Sequence, residues 1–285
     1  MDLLVQQKNK TKNSLQVKGI IYLCLAISTV LSIFFYYKYK ESTLVKLDSE
    51  TLCPNSGPCS ITAVLIDLTD PLSVIQREDL KKRLYDFKED LAQYGNLQIY
   101  PIGTITNSLL KPTINICNPG RGDNLNTVTG NPVLMKKKWR EKFSNPLDQI
   151  LDNLLSKDIP ENVSPIMESI QSIVISAFKG KALIDIPKKL IIISDMIQNS
   201  PALNQYQGNI SFEQFKLSPN FSKVRADLKN VEVDIIYIRR ETFTKLQGRA
   251  HIIFWEKFIH EMGGINIHVV SLFEGINGNK QAKQN

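Results

Sequence analysis

The sequence predicts a doubly wound α/β domain, a mostly parallel six-stranded sheet with one antiparallel edge strand, preceded by one transmembrane helix. Three observations predict it. The run Gly19–Tyr37 (GIIYLCLAISTVLSIFFYY) is nineteen residues long and carries no charge. The short apolar runs Ile61–Asp67 (ITAVLID) and Leu190–Ser194 (LIIIS) read as strands covered on both faces, as in parallel sheets. Between such runs lie segments with apolar residues at helical spacing, the alternation from which α/β folds are built.

Residues 1–18 are rich in Lys, Asn and Gln and read as a polar tail without a fold of its own. The run 19–37 would make a helix about 28 Å long, enough for a bilayer core. Tyr36 and Tyr37 stand where an aromatic belt belongs. A cleaved signal peptide would have a shorter apolar region followed by small residues, whereas FFYYKYKES follows here. A core helix would show a polar face, and this run has none. Residues 38–60 read as a juxtamembrane linker, 61–275 as the folded domain and 276–285 as a flexible tail.

After the first strand, Leu80, Leu84, Phe87 and Leu91 recur at helical spacing and predict a helix over 74–94. Leu97–Ile105 and Thr113–Cys117 read as strands joined by a polar turn at Asn107 and Ser108, an antiparallel hairpin. Residues 118–132 form a Gly/Pro/Asn-rich loop. Phe143, Leu147, Ile150, Leu151 and Leu154 mark a second helix, bent at Pro146. Ile166, Ile170, Ile173, Val174 and Ala177 mark a third, with Ser164 as N-cap and Pro165 as its first residue. The strand LIIIS leads into a long polar loop, Met196–Asn220. A short helix near 221–229, a strand at 231–239, a helix near 249–262 and a strand at 265–270 complete the domain.

The formal net charge of +7 comes from 35 Lys/Arg against 28 Asp/Glu, and the excess is scattered. No Arg-rich arm or basic stripe interleaved with aromatics appears, which argues against nucleic acid and for anionic lipid as a neighbour. Lys8, Lys10, Lys12 and Lys18 precede the span while Lys38, Lys40 and Lys46 follow it, a bias that places the N-terminus in the cytoplasm. Cys53 and Cys59 bracket the loop CPNSGPC and read as a disulfide of an oxidising compartment, which puts the domain outside the cytoplasm. Cys117 is the alternative partner of Cys53. The ends of the first and third strands lie about 10 Å apart, too far for a direct bridge, but Cys53 sits several residues upstream and has slack. Zinc lacks its four ligands.

In such sheets ligands bind beyond the carboxyl ends of the strands, near the topological switch point. Asp67, Thr69, Asp70, Pro71 and Ser73 follow the first strand, Ser164 opens the third helix, and Asp195 follows the fourth strand. Carboxylates and hydroxyls are hard oxygen ligands suited to Mg²⁺ or Mn²⁺. In this arrangement residues 60–275 resemble the von Willebrand factor type A domain family. That family's metal site takes an Asp-x-Ser-x-Ser stretch after the first strand, a Thr from a later loop and an Asp after the fourth strand. The resemblance implies a metal site of Asp67, Thr69, Ser164 and Asp195, with an acidic residue of a protein partner completing the coordination. It departs at the third position, where Pro71 offers no hydroxyl and Asp70 or Ser73 would have to stand in.

Each of these residues also has a plain reading as a turn or cap, so it is their order along one sheet edge that carries the resemblance. The expectation is a membrane-anchored, non-catalytic domain that binds a protein partner, with the loop 196–220 as its contacting lip or else a disordered insertion. The alternative is a metal-free structural subunit of a cell-envelope complex. A haloacid-dehalogenase-like phosphatase with Asp67 as nucleophile would need a second Asp where Thr69 stands. His251, His260 and His268 lack metal or nucleophile spacing, and no phosphate-cradling glycine loop occurs. Arg121-Gly122-Asp123 lies in a loop that turn chemistry already explains.

Overall fold

The computed structural model describes residues 2–43, 45–102, 109–123, 131–156, 163–180, 183, 185–208 and 210–273. The chain divides into two units, Met1–Lys46 and Leu47–Asn285. The first is α1 (Asp2–Thr43). Its stretch Lys18–Tyr39 is long and apolar enough to cross a membrane, and no protein covers it. The helix continues through residues 2–18, which the sequence alone suggested were unfolded. No Gly or Pro precedes Gly19, and Lys, Gln and Leu readily propagate a helix that the apolar run nucleates.

The second unit is built in chain order from β1 (Ser60–Ile66), α2 (Val74–Asp90), β2 (Gly95–Pro101), β3 (Ile114–Cys117), α3 (Pro132–Trp139), α4 (Asn145–Leu155), α5 (Ile166–Ile173), β4 (Lys188–Ser194), α6 (Phe212–Lys216), β5 (Val231–Ile238), α7 (Arg249–Glu261) and β6 (Ile265–Leu272). The sheet order is β3-β2-β1-β4-β5-β6, with every pairing parallel except β2 with β3. This is the expected mixed sheet, and its winding reverses between β1 and β4. Successive strand residues face opposite layers. Ala63, Leu65, Leu190 and Ile192 pack with α5 and α7, while Val64, Ile66, Ile191 and Ile193 pack with α2, α3 and α4.

Several expectations change at the element ends. Residues 47–59 belong to the domain rather than to a linker. The Asp48 carboxylate accepts from the amides of Glu50 and Thr51, Leu52 is buried, and the Thr51 carbonyl accepts from the Cys117 amide at 2.7 Å. That last bond lays the incoming segment against β3, so Cys53 pairs with Cys117 and not with Cys59. The Cα atoms are 4.8 Å apart, where strand spacing alone would leave about 10 Å. Cys59 is an exposed thiol whose Sγ donates to the Gln93 carbonyl at 3.1 Å.

The helix predicted around Phe143 starts earlier, at Pro132, and opens into one π turn at Arg140–Ser144 before α4. Pro146 explains the widening, because it has no N–H and its ring clashes with the carbonyl one turn back. The buried Lys88 of α2 ties this turn down, donating to Ser144 at 2.9 Å and to Asp148 at 2.7 Å. The described residues of the loop, 196–208 and 210–220, are not a disordered insertion. They hold α6, and Phe212 and Phe215 insert into the core beside Phe221. The helix expected near 221–229 is a single 3₁₀ turn, Phe221–Val224. The hairpin turn at Asn107 and Ser108 and the tail 276–285 lie outside the described residues.

Candidate functional site

At the carboxyl ends of β1 and β4 the polar residues singled out in the sequence come together. Asp67 directly follows β1, and its amide donates to the Ile193 carbonyl at 2.8 Å. Its carboxylate is 97% hidden from solvent (3% exposed) and takes four donors. Oδ1 accepts from the Thr69 amide at 3.2 Å and the Thr69 hydroxyl at 2.8 Å. Oδ2 accepts from the hydroxyls of Ser164 at 2.7 Å and Ser194 at 2.8 Å. One carboxylate therefore fastens the β1 turn, the entry to α5 and the end of β4, which is what a preorganised edge requires.

Ser164 was expected to cap α5. Instead Pro165 stands at the cap position without a side-chain bond, and the Ser164 hydroxyl is spent on Asp67. Its backbone is fixed by a two-way bridge to Asn199, 2.9 Å in each direction. Asp195 is buried beside this network, and its Oδ1 accepts from the Ile197 amide at 2.9 Å. Met196 next to it has φ +61°, a left-handed conformation that costs a residue with a Cβ about 1 kcal/mol. The turn is held by the Met196 amide on Ser194 Oγ at 2.8 Å and by Trp255 Nε1 on the Met196 carbonyl at 2.7 Å. Strain fixed in this way at the end of a central strand is a feature of functional turns.

Burial, and then the neighbouring Asp67, push the Asp195 carboxyl up to about 7, while the Ile197 amide and Arg240 act in the other direction. Arg240 is a residue that the sequence reading passed over. It follows β5 at the same edge, is 6% exposed, and donates through its two terminal nitrogens to the carbonyls of Pro71 and, at 3.0 Å, Asp70. Its Nε lies 3.8 Å from Asp195 Oδ2. Gln247, fully buried, accepts from the Arg240 amide at 2.7 Å and donates to the carbonyls of Asp195 at 3.0 Å and Ile238 at 2.8 Å. Ser194 was also missed, although it directly precedes Asp195. The pair Arg239-Arg240 could have been found by the same strand-end rule that found Asp195.

On the rim, Tyr206 is 42% exposed and meets Phe243 edge-on at 5.2 Å. Burial, with the charges of Asp195, Asp70 and Asp67, raises its phenol far above the ordinary value. Behind the rim, His251 bridges Tyr237 Oη at 2.7 Å and Gln205 Oε1 at 3.1 Å, and burial pushes its imidazole down to about 4. It supports the loop that carries Tyr206. The Arg121 of the Arg-Gly-Asp tripeptide is engaged internally, in a salt bridge with Glu89 at 2.7 Å and over the Trp139 ring. A cavity of about 570 Å³ opens at the opposite, amino-terminal edge, where Phe87, Leu91 and Leu97 line it, remote from these groups.

The resemblance asks for Mg²⁺ or Mn²⁺ at this edge, and the donor set does not fit one. Asp67, Thr69, Ser164 and Asp195 do converge, but Pro71 supplies no hydroxyl. Ser73 cannot replace it, because its hydroxyl accepts from the Gln76 amide at 3.2 Å as the N-cap of α2. The turn carrying Asp70 and Pro71 is held through its carbonyls by a guanidinium, which is itself a cation. Among the described residues no group of three or more His, Cys, Asp or Glu is placed to hold a metal.

No family model matches the chain, and no curated protein matches it. Among solved structures it is similar to an aerotolerance-related membrane protein from Bacteroides fragilis NCTC 9343 carrying multiple mutations to serines. That similarity is 8% identity over 74% of this chain and 90% of the other, with a TM-score of 0.37. It is also similar to the conserved hypothetical protein BatB from Bacteroides thetaiotaomicron, at 14% identity over 75% of this chain and 91% of the other, with a TM-score of 0.35. At similarity this low, the reading of the site rests on its own residues.

Proposed function

We infer that the chain is a membrane-anchored protein-binding domain of the von Willebrand A-like type, and that the carboxyl edge of its sheet is the contact surface. The observation that carries this reading is the Tyr206–Phe243 pair, in which an exposed tyrosine is backed by a half-buried phenylalanine at the rim of a buried polar base. Tyr is enriched among the residues that dominate binding energy, because it buries much area at small entropic cost. Binding rather than turnover is supported by Asp67, whose carboxylate is saturated by four hydrogen bonds and leaves no oxygen to attack a phosphate. The span Lys18–Tyr39 serves as the anchor. An extracytoplasmic domain and a cytoplasmic N-terminus agree with the Cys53–Cys117 disulfide, since such bonds persist in oxidising compartments.

The test is site-specific photo-crosslinking in native membranes, with the reactive group at position 206 and a control at Tyr85, a 52% exposed residue of α2. A discrete protein adduct is expected from position 206 and none from position 85. Once the partner is known, Tyr206→Ala should weaken its binding by about 2 kcal/mol, roughly thirtyfold. No adduct at 206, or equal adducts at both positions, would sink the reading.

A further inference from the structure

We propose that Arg240 takes the place of a divalent cation at this edge, supplying from within the chain the positive charge that joins the β1 turn to the end of β4. The inference rests on the von Willebrand A-like reading above, in which that junction is where a metal would sit. Four observations carry it. The guanidinium is buried between the two halves of the junction: it donates to the Asp70 and Pro71 carbonyls on one side, and on the other its buried Nε, which makes no hydrogen bond, faces Asp195 Oδ2 at 3.8 Å. It engages the backbone at Pro71, the position whose side chain could not have served as a ligand. The backbone of Arg240 is anchored by Gln247, which binds its amide and the Asp195 carbonyl together and so ties the two strand ends to one side chain. Finally, an arginine side chain stays protonated in proteins, so this charge is permanent and would repel a second cation beside it.

The planar guanidinium matters as much as its charge. It presents donors in several fixed directions, which lets one group bind two successive carbonyls and still face a carboxylate. A lysine ammonium in its place would satisfy some of these contacts and not all. The further consequence is that partner binding at this edge needs no acidic residue to complete a metal's coordination. The partner would meet the Tyr206–Phe243 rim of an edge that is already closed.

The experiment uses the full chain in detergent, with thermal unfolding followed by tryptophan fluorescence, since Trp255 bonds to the Met196 carbonyl within the site. The probes are MgCl₂ and MnCl₂ at millimolar concentration, EDTA, and NaCl matched for ionic strength. The parent is expected to show the same Tm in all four. Arg240→Gln should lower Tm by about 5 °C, and Arg240→Lys should recover less than half of that loss. Measured at pH 8, where Asp195 carries its charge, the Arg240→Gln loss should shrink markedly in the Asp195→Asn background, because the carboxylate left without its cation is gone. A parent Tm that rises with Mg²⁺ or Mn²⁺ beyond the NaCl control overturns the proposal, as does an Arg240→Gln loss that is equal in both backgrounds. If Arg240→Gln fails to fold, the metal series on the parent and Arg240→Lys still decide the matter. Failure of the crosslink at position 206, with these results intact, would overturn the binding reading and leave the role of Arg240 standing.

Discussion

Asp195 and His251 are two buried titrating groups whose effects on stability run in opposite directions. The Asp195 carboxyl, pushed up to about 7 mainly by burial, holds a proton in the folded chain that the unfolded chain has released. Its stabilisation is complete below its ordinary value of 3.8 and is lost as pH rises to about 7, a loss of up to about 4 kcal/mol at 1.36 kcal/mol per pH unit. His251, pushed down to about 4 by burial, does the reverse. Its stabilisation is complete above 6.5 and is lost as pH falls to about 4, up to about 3 kcal/mol. The parent's urea-unfolding stability should therefore change little between about pH 4.5 and 6.5. Asp195→Asn should unmask the histidine, giving stability that falls in acid. His251→Gln, which keeps a polar group between Tyr237 and Gln205, should unmask the carboxyl and give stability that falls towards neutral pH. Parallel profiles for the parent and both variants would mean that neither group titrates as its burial dictates.

At the scale of elements, the Cys53–Cys117 bond joins the segment leading into β1 to the antiparallel edge strand β3, across 64 residues of chain. A loop of that length predicts a contribution of about 4 kcal/mol from restriction of the unfolded chain. Cys53→Ser or Cys117→Ser should lose about that much, whereas Cys59→Ser should lose almost nothing, and only Cys59 of the domain's cysteines should react with a maleimide in the folded protein. Equal losses for Cys53→Ser and Cys59→Ser would restore the pairing expected from the loop CPNSGPC. Sequence proximity favours Cys59, but the backbone bond from Cys117 to Thr51, which forms only in the assembled fold, brings Cys53 to Cys117 instead. The central strands were legible because their apolar runs report burial on both faces. Asp67 and Asp195 were legible because they follow two of those strands. Arg240 and Gln247 were not, since their roles arise from a crossing of segments distant in sequence. The aromatic anchors of residues 196–220 were hidden by polar neighbours, and single phenylalanines carry no periodicity.

At the scale of the whole molecule, the chain divides into a helix whose stretch Lys18–Tyr39 is uncovered and a domain with an interior of its own. Both apolar clusters are drawn from residues after Leu47, the earliest member being Leu52. The disulfide and the Asp67 network also lie wholly within Leu47–Asn285. Neither apolar cluster, nor the disulfide, nor the Asp67 network takes a residue from α1, and the expectation is that removing the helix leaves the domain's stability untouched. A fragment of residues 47–285, produced under oxidising conditions so that Cys53 and Cys117 can pair, should be soluble without detergent. Its Tm should match that of the full chain within about 2 °C, the change that less than 1 kcal/mol produces in a domain of this size. The full chain should require detergent, since the apolar face of Lys18–Tyr39 then has nowhere else to go. A fragment that aggregates, or that melts about 5 °C or more below the full chain, would show that the helix contributes to folding as well as to location. If the two melt together, α1 acts as a tether alone, and the proposed binding edge at Asp67, Tyr206 and Arg240 can be tested in water on the fragment.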